Sequence, residues 1–196
     1  MKGPIHIAIF GSGNGTNAQR IIEYFGSSTM IETTCVVYNK RDAFIAKRAD
    51  KLGVEAHYFS KKDFYETDSV VRYLQEKQID YIVLAGFLLL VPENLLSIYS
   101  GKIVNIHPAL LPKYGGKGMY GEKVHESVIA NHEKESGITI HEIDENYDRG
   151  TTLFQARCEV ESNDTADSLA QKIHILEHTH FPCVIENWIR SKEGLK

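Results

Sequence analysis

The first half of the chain alternates between two hydrophobic periods. IHIAIF (residues 5–10) is apolar nearly throughout, the pattern of a strand covered on both faces. NAQRIIEYF (17–25) then reads as a helix, with Thr16 placed to cap it. IETTCVVYN (31–39) is rich in β-formers, and DAFIAKRADKLG (42–53) reads as a helix opened by Asp42 and stopped by Gly53. A short strand, VEAHYF (54–59), precedes an amphipathic helix, KKDFYETDSVVRYLQEKQ (61–78). IDYIVLAGF (79–87) is a buried strand ending at Gly86, and PENLLSIYS (92–100) a short helix with Pro92 at its start. KIVNIHPALLP (102–112) is a strand that stops at Pro108, whose ring disfavours helix for His107 before it. This alternation predicts right-handed βαβ units on a parallel sheet.

The pattern then changes. KYGGKGMYG (113–121) is a loop and EKVHESVIANHEK (122–134) a helix. SGITIHEIDENYDRGTTLFQARCEV (136–160) reads as two antiparallel strands around a turn at Asp148, Arg149 and Gly150. TADSLAQKIHILEHTHFPCVIENWIRS (165–191) is a long closing helix, capped near Asn163 or Asp164 and interrupted around Pro182. The predicted fold class is α/β: a Rossmann-like, mostly parallel sheet flanked by helices, with a C-terminal antiparallel strand pair and a long closing helix. No repeat or linker divides it, so residues 1–196 are expected to form one domain.

Composition narrows the partners. Of 196 residues, 42% are hydrophobic, enough for a sizeable core. The formal net charge of −4 argues against a nucleic-acid partner, which needs basic surface to neutralise phosphates. No apolar run is long enough to cross a bilayer, so no membrane partner is expected. The opening MKGPIHIAIFGSG starts like a signal peptide, but its apolar part is short and lacks a small-residue cleavage site, so it reads as the first strand. Cys35, Cys158 and Cys183 are scattered and odd in number, which fits reduced thiols in a cytoplasmic protein rather than a disulfide or metal framework. The histidines lack a coherent ligand spacing, so no metal is expected.

Two stretches carry candidate chemistry. In GSGNGTN (11–17), glycines let backbone N–H groups approach an anion at a helix N-terminus. A nucleoside-triphosphate loop needs a lysine that this stretch lacks. A dinucleotide site needs a later third glycine and an acid at the end of the second strand; here Gly15 comes one position early, and Asn39 is followed by Lys40 and Arg41. A single small phosphate fits the short loop best, with a plain strand-to-helix turn as the alternative. In the second stretch, Asn105 and His107 end a parallel strand, where open α/β sheets bind their ligands, and they point to the same face. A hydrogen-bond donor beside a proton carrier suits acyl transfer. Taken alone, Asn-x-His is better read as a structural histidine beside an asparagine turn. HEIDENYDRGTTLFQ (141–155) adds His141, Asp144 and Asp148, and spacing alone does not choose Asp148 over Asp144 as the partner of His107.

Taken in order along nearly the whole chain, GSGNGTN, LAGFLLLVPENLL, NIHPALLPKYGG, GITIHEIDENYDRG and LEHTHFP resemble the formyl-transferases that use 10-formyltetrahydrofolate. The glycine loop and the length point within that family to the branch acting on glycinamide ribonucleotide in purine biosynthesis. The methionyl-tRNA and deformylase branches would be expected to carry an extra domain, for which this length is not expected to leave room. The resemblance implies a catalytic trio of Asn105, His107 and Asp148, a substrate-phosphate loop at Gly15, Thr16 and Asn17, and a substrate-binding Glu177. It also implies a folate pocket of Leu88, Leu89, Leu90 and Val91 with His141 and Asp144. Residues 1–100 would then be the phosphate-binding half and 101–196 the catalytic and folate-binding half, in a monomer or homodimer. Asn105 would donate to the oxyanion, His107 would act as imidazolium or pass a proton to the leaving nitrogen, and Asp148 would hold His107 and relay the amine proton through water. The chain departs from the family at Leu89, where an arginine is common, and in the loop 113–121, where Lys117 or the nearby His125 would replace a missing histidine. Two rivals are a sugar-amine formyl-transferase, which need not keep the phosphate loop, and a non-catalytic phosphate- or nucleotide-binding module, which would leave the trio coincidental.

Overall fold

A computed structural model describes residues 3–145 and 148–195. Seven strands form one sheet, in the order β3 (Glu55–Tyr58), β2 (Ile31–Tyr38), β1 (Ile5–Gly11), β4 (Tyr81–Leu84), β5 (Ile103–His107), β6 (Glu135–Glu142) and β7 (Thr152–Glu159). The chain divides into two compact units, Met1–Val104 and Asn105–Lys196.

The first unit carries β1 (Ile5–Gly11), α1 (Thr16–Phe25), β2 (Ile31–Tyr38), α2 (Ile45–Lys51) and β3 (Glu55–Tyr58), followed by α3 (Lys61–Glu66), α4 (Ser69–Glu76), β4 (Tyr81–Leu84) and α5 (Glu93–Ile98). β1 pairs in parallel with β2 and β4, and β2 in parallel with β3, as the alternation predicts. Ile7, Ala8, Ile9 and Phe10 are fully buried, as are Val36, Val37, Ile82 and Val83. Their apolar runs match a sheet covered on both faces. At ten residues α1 is too short to hold its shape alone in water, so the burial of Ile21, Ile22 and Phe25 has to stabilise it.

Three expected boundaries moved in this unit. The amphipathic run 61–78 is two helices, not one. Ser60 and Asp63 form a reciprocal cap on α3. Thr67 then leaves the helical region, its hydroxyl donating to the Asp63 carbonyl (3.0 Å) and accepting the Ser69 N–H (3.2 Å). That side chain takes over hydrogen bonds a continuous helix would make itself. α2 starts at Ile45 rather than Asp42, because residues 40–43 close a turn and the Ile45 N–H donates to the Gly13 carbonyl. Thr16 is the first helical residue and not the cap; Gly15 takes the cap position with φ 79°.

β5 (Ile103–His107) spans the boundary between the units. The second unit continues with α6 (Glu122–Ala130), β6 (Glu135–Glu142), β7 (Thr152–Glu159) and α7 (Ala166–Lys192). β6 and β7 are antiparallel, as expected. Their register shifts between Ile140 and His141, leaving Leu153 without a counterpart. Gly150 lets the returning chain pass close to β6: a Cβ there would lie 1.7 Å from the Glu142 carbonyl oxygen. α7 runs unbroken through Pro182, contrary to the expected interruption. The lost N–H bond is outweighed by burial of Phe181, Pro182, Ile185 and Trp188 around it, each large apolar side chain being worth about 1.5–3 kcal/mol. The cap is Thr165, reciprocated by Ser168, rather than Asn163 or Asp164. Among the described residues no helix is long and apolar enough to cross a membrane.

Candidate active site

In the first unit the glycine turn is built on contacts too close for side chains. A Cβ on Gly15 would come within 2.8 Å of the Ile45 Cα. Arg48 of α2 braces the outer side of the turn. Its guanidinium donates to the Asn14 carbonyl (2.8 Å), to the Asn14 side-chain oxygen (3.0 Å) and to Gln19. α1 begins directly after Gly15 with no side-chain cap and no acidic residue in its first turn. Its first N–H groups and the positive end of its dipole suit an anion at Gly15, Thr16 and Asn17. Beyond β4, Phe87 sits edge-on to Phe10 (5.3 Å between centroids) and against Phe64 (5.1 Å). Leu88, Leu89 and Leu90 follow, half-buried and consecutive, and Val91 is buried.

In the second unit Asn105 and His107 occupy alternate positions at the end of β5, as the strand period requires. His107 is buried, its Nε2 lying 2.7 Å from the Tyr114 carbonyl oxygen. A carbonyl only accepts, so Nε2 carries the proton and Nδ1 is left as the basic nitrogen. That Nδ1 faces Asp148 Oδ1 at 3.5 Å. His141 is also buried, with Nδ1 donating to the Glu142 carbonyl (3.1 Å). Its Nε2 then accepts from the Asn105 amide (3.1 Å) and lies 3.7 Å from Asp148 Oδ1. One Asn105 amide proton is thus committed to His141, and its second remains available to an incoming oxygen. The other Asp148 oxygen accepts the Gly116 N–H at 2.8 Å.

Two backbone positions aim these groups. Tyr114 (φ 54°) and Asp148 (φ 55°) both lie in the left-handed region, which is costly for a bulky residue such as tyrosine. Neighbouring bonds hold them. Tyr114 donates its hydroxyl to Glu133, which also receives Lys113. The fully buried Thr139 donates to the Ala109 carbonyl and accepts from Leu111 N–H and from Gln155, pinning the segment that leads to Tyr114.

Burial pushes the His107 pKa below its ordinary 6.5, against the opposing charge of Asp148 and the Tyr114 carbonyl. His107 therefore rests neutral. For Asp148, burial acts to raise the pKa, but the neighbouring imidazoles of His141 and His107 and the Gly116 N–H together hold it below its ordinary 3.8, so it rests ionised. A neutral imidazole whose free nitrogen faces a half-buried carboxylate is a group that takes up a proton only when a reaction offers one.

Of the residues singled out from the sequence, Asn105, His107, His141 and Asp148 lie together in one cluster. Asp144 is exposed. Glu177 is buried on α7, its Oε2 2.9 Å from His174 Nδ1. His174 is pushed above 6.5 by that bond. The charge of Glu177 also reaches His107 and His125. His125 is buried on α6, and Lys117 lies in the loop before it. Sequence reasoning missed the Tyr114 carbonyl, which has no side-chain signature, and the tie of His141 to Asn105, whose one signal was His141 and Asp148 flanking a single turn. Among the described residues no group of three or more histidine, cysteine, aspartate or glutamate side chains is placed to hold a metal ion.

Comparison with known proteins gives a consistent picture. The sequence profile of a family described as formyl transferase matches residues 5–185. The phosphoribosylglycinamide formyltransferase of Bacillus subtilis (strain 168) is 32% identical over 184 residues, covering 91% of this chain and 92% of the relative. The chloroplastic phosphoribosylglycinamide formyltransferase of Arabidopsis thaliana is 37% identical over 178 residues, and the match covers 88% of this chain but 61% of that protein's length. The crystal structure of phosphoribosylglycinamide formyltransferase from Bacillus halodurans superposes with a TM-score of 0.85 at 34% identity, covering 96% of each chain.

Proposed function

This chain is a member of the formyl transferase family, and on that premise we propose that it transfers the formyl group of 10-formyltetrahydrofolate to the primary amine of glycinamide ribonucleotide in purine biosynthesis. The observation that carries this reading is the cluster in which Asn105 keeps one amide proton free while a neutral, buried His107 faces the Asp148 carboxylate. The relatives named as phosphoribosylglycinamide formyltransferases supply the substrates.

The acceptor amine attacks the formyl carbon, and the formyl oxygen becomes an oxyanion. Asn105 donates to that oxygen. The amine's proton passes to His107 Nδ1, directly or through a water held by Asp148, and Asp148 stabilises the imidazolium that forms. The bond from the formyl carbon to the folate nitrogen then breaks, and His107 returns the proton to that nitrogen, so no net proton is consumed. This refines the imidazolium role expected from the sequence: the charge on His107 develops during the reaction. In the first unit, Gly15, Thr16 and Asn17 are the proposed phosphate contacts, and Leu88, Leu89, Leu90 and Val91 the proposed folate contacts. In the second, Glu177 is proposed for the acceptor, and His141 and Asp144 for the folate. Three free cysteines support a cytoplasmic setting.

The test is loss of the formyl group, followed by absorbance, with glycinamide ribonucleotide and an amino-sugar nucleotide offered in parallel. Turnover is expected with the ribonucleotide only. Asn105→Ala should cut turnover about 10²–10³-fold while changing folate binding far less. Near-normal turnover in both Asn105→Ala and His107→Ala would remove the assignment.

A further inference from the structure

Ser12 lies inside the glycine-rich turn, yet its bonds lead away from the anion position at Gly15, Thr16 and Asn17. It is 1% exposed. Its main-chain N–H donates to the Gly86 carbonyl (3.0 Å), and its hydroxyl oxygen accepts the Leu88 N–H (2.9 Å). Both bonds land on the 86–91 segment, just after Ala85 N–H has made its own bond to Phe10 of β1 (2.8 Å). Beyond Leu88 the segment has a second anchor, the Leu90 carbonyl, which accepts from the Tyr65 hydroxyl (2.7 Å). Leu88, Leu89 and Leu90 are therefore suspended between Ser12 on one side and Tyr65 on the other. The ring of Phe87 is fixed separately, in the cluster with Phe10 and Phe64.

We propose that Ser12 is a positioning residue for the folate co-substrate: its hydroxyl sets the path of the 88–91 segment, although it belongs by sequence to the phosphate turn. The inference rests on the folate reading of that segment given above. Its physical basis is the cost of an unmet bond. Removing the hydroxyl leaves the Leu88 N–H without its acceptor and frees the segment between Phe87 and Leu90. The turn itself keeps its shape, because Gly15, Ile45 and Arg48 hold it through contacts that do not involve the Ser12 side chain.

The experiment compares Ser12→Ala, Ser12→Thr and wild-type enzyme in steady-state formyl transfer, with hydrogen exchange read at the Leu88 amide. For Ser12→Ala the KM for 10-formyltetrahydrofolate should rise about ten-fold, equivalent to about 1.4 kcal/mol. The KM for glycinamide ribonucleotide and kcat should stay within about two-fold of wild type, and the Leu88 amide should exchange faster. Ser12→Thr, which restores the acceptor oxygen, should recover most of the loss. A merely structural role would raise both KM values together, and a role in phosphate binding would raise only that of the ribonucleotide; either result overturns the proposal. Leu89→Arg tests the underlying reading by itself. If it shifts the folate KM while Ser12→Ala does not, the positioning role of Ser12 is wrong and the folate reading stands. If neither shifts it, the folate reading of the segment fails and the proposal with it.

Discussion

At the scale of single residues, the site depends on which nitrogen of each histidine carries the proton. The Tyr114 carbonyl settles this for His107 and the Glu142 carbonyl for His141. Neither fact is readable from side-chain types, because both partners are backbone oxygens brought close by folding. The consequence can be tested by titration. His107 should titrate below 6.5 by NMR, and Asp148→Asn should lower its midpoint further, since the aspartate charge is what raises it. A midpoint that rises in Asp148→Asn would contradict the geometry. The same shift sets a sign for stability. Below 6.5 the unfolded chain protonates His107 more readily than the native one does, so its contribution is intact above 6.5 and is lost as pH falls toward the native value. Denaturation midpoints measured from pH 7 down to pH 5 should therefore fall, and less steeply in His107→Asn.

At the scale of elements, hydrophobic period located every strand and most helices, and failed where a side chain or a close backbone contact overrode it. Thr67 splits one amphipathic run into α3 and α4, the Gly13 carbonyl delays α2, and buried neighbours carry α7 through Pro182. The turn between β1 and α1 gives the sharpest element-level prediction. Gly15 has φ 79°, and a methyl group there meets Ile45. Gly15→Ala should lower the unfolding free energy by at least the roughly 1–2 kcal/mol that an L-residue loses in the left-handed region. Urea denaturation reads this directly, and an unchanged midpoint would mean the turn is not built as described.

At the scale of the whole molecule, the chemistry proposed needs only side chains and backbone groups of the protein. Dialysis against EDTA should leave turnover unchanged; a loss restored by added zinc would put a metal in the mechanism. The alternation of apolar runs and amphipathic helices was enough to specify a mostly parallel sheet with an antiparallel pair near its end, because period and burial are local properties of the chain. The same local rule put Asn105 and His107 on one strand face, and motif strings placed the chain in its family. It did not choose between Asp144 and Asp148. The family resemblance implied Asp148, and the structure puts its carboxylate 3.5 Å from His107 while Asp144 is exposed. Nor did the sequence disclose that Ser12 serves the 86–91 segment, or that burial keeps His107 neutral. Hydrogen-bond partners distant in sequence and the desolvation of a charge exist only once the chain has packed, so these features belong to the tertiary structure alone.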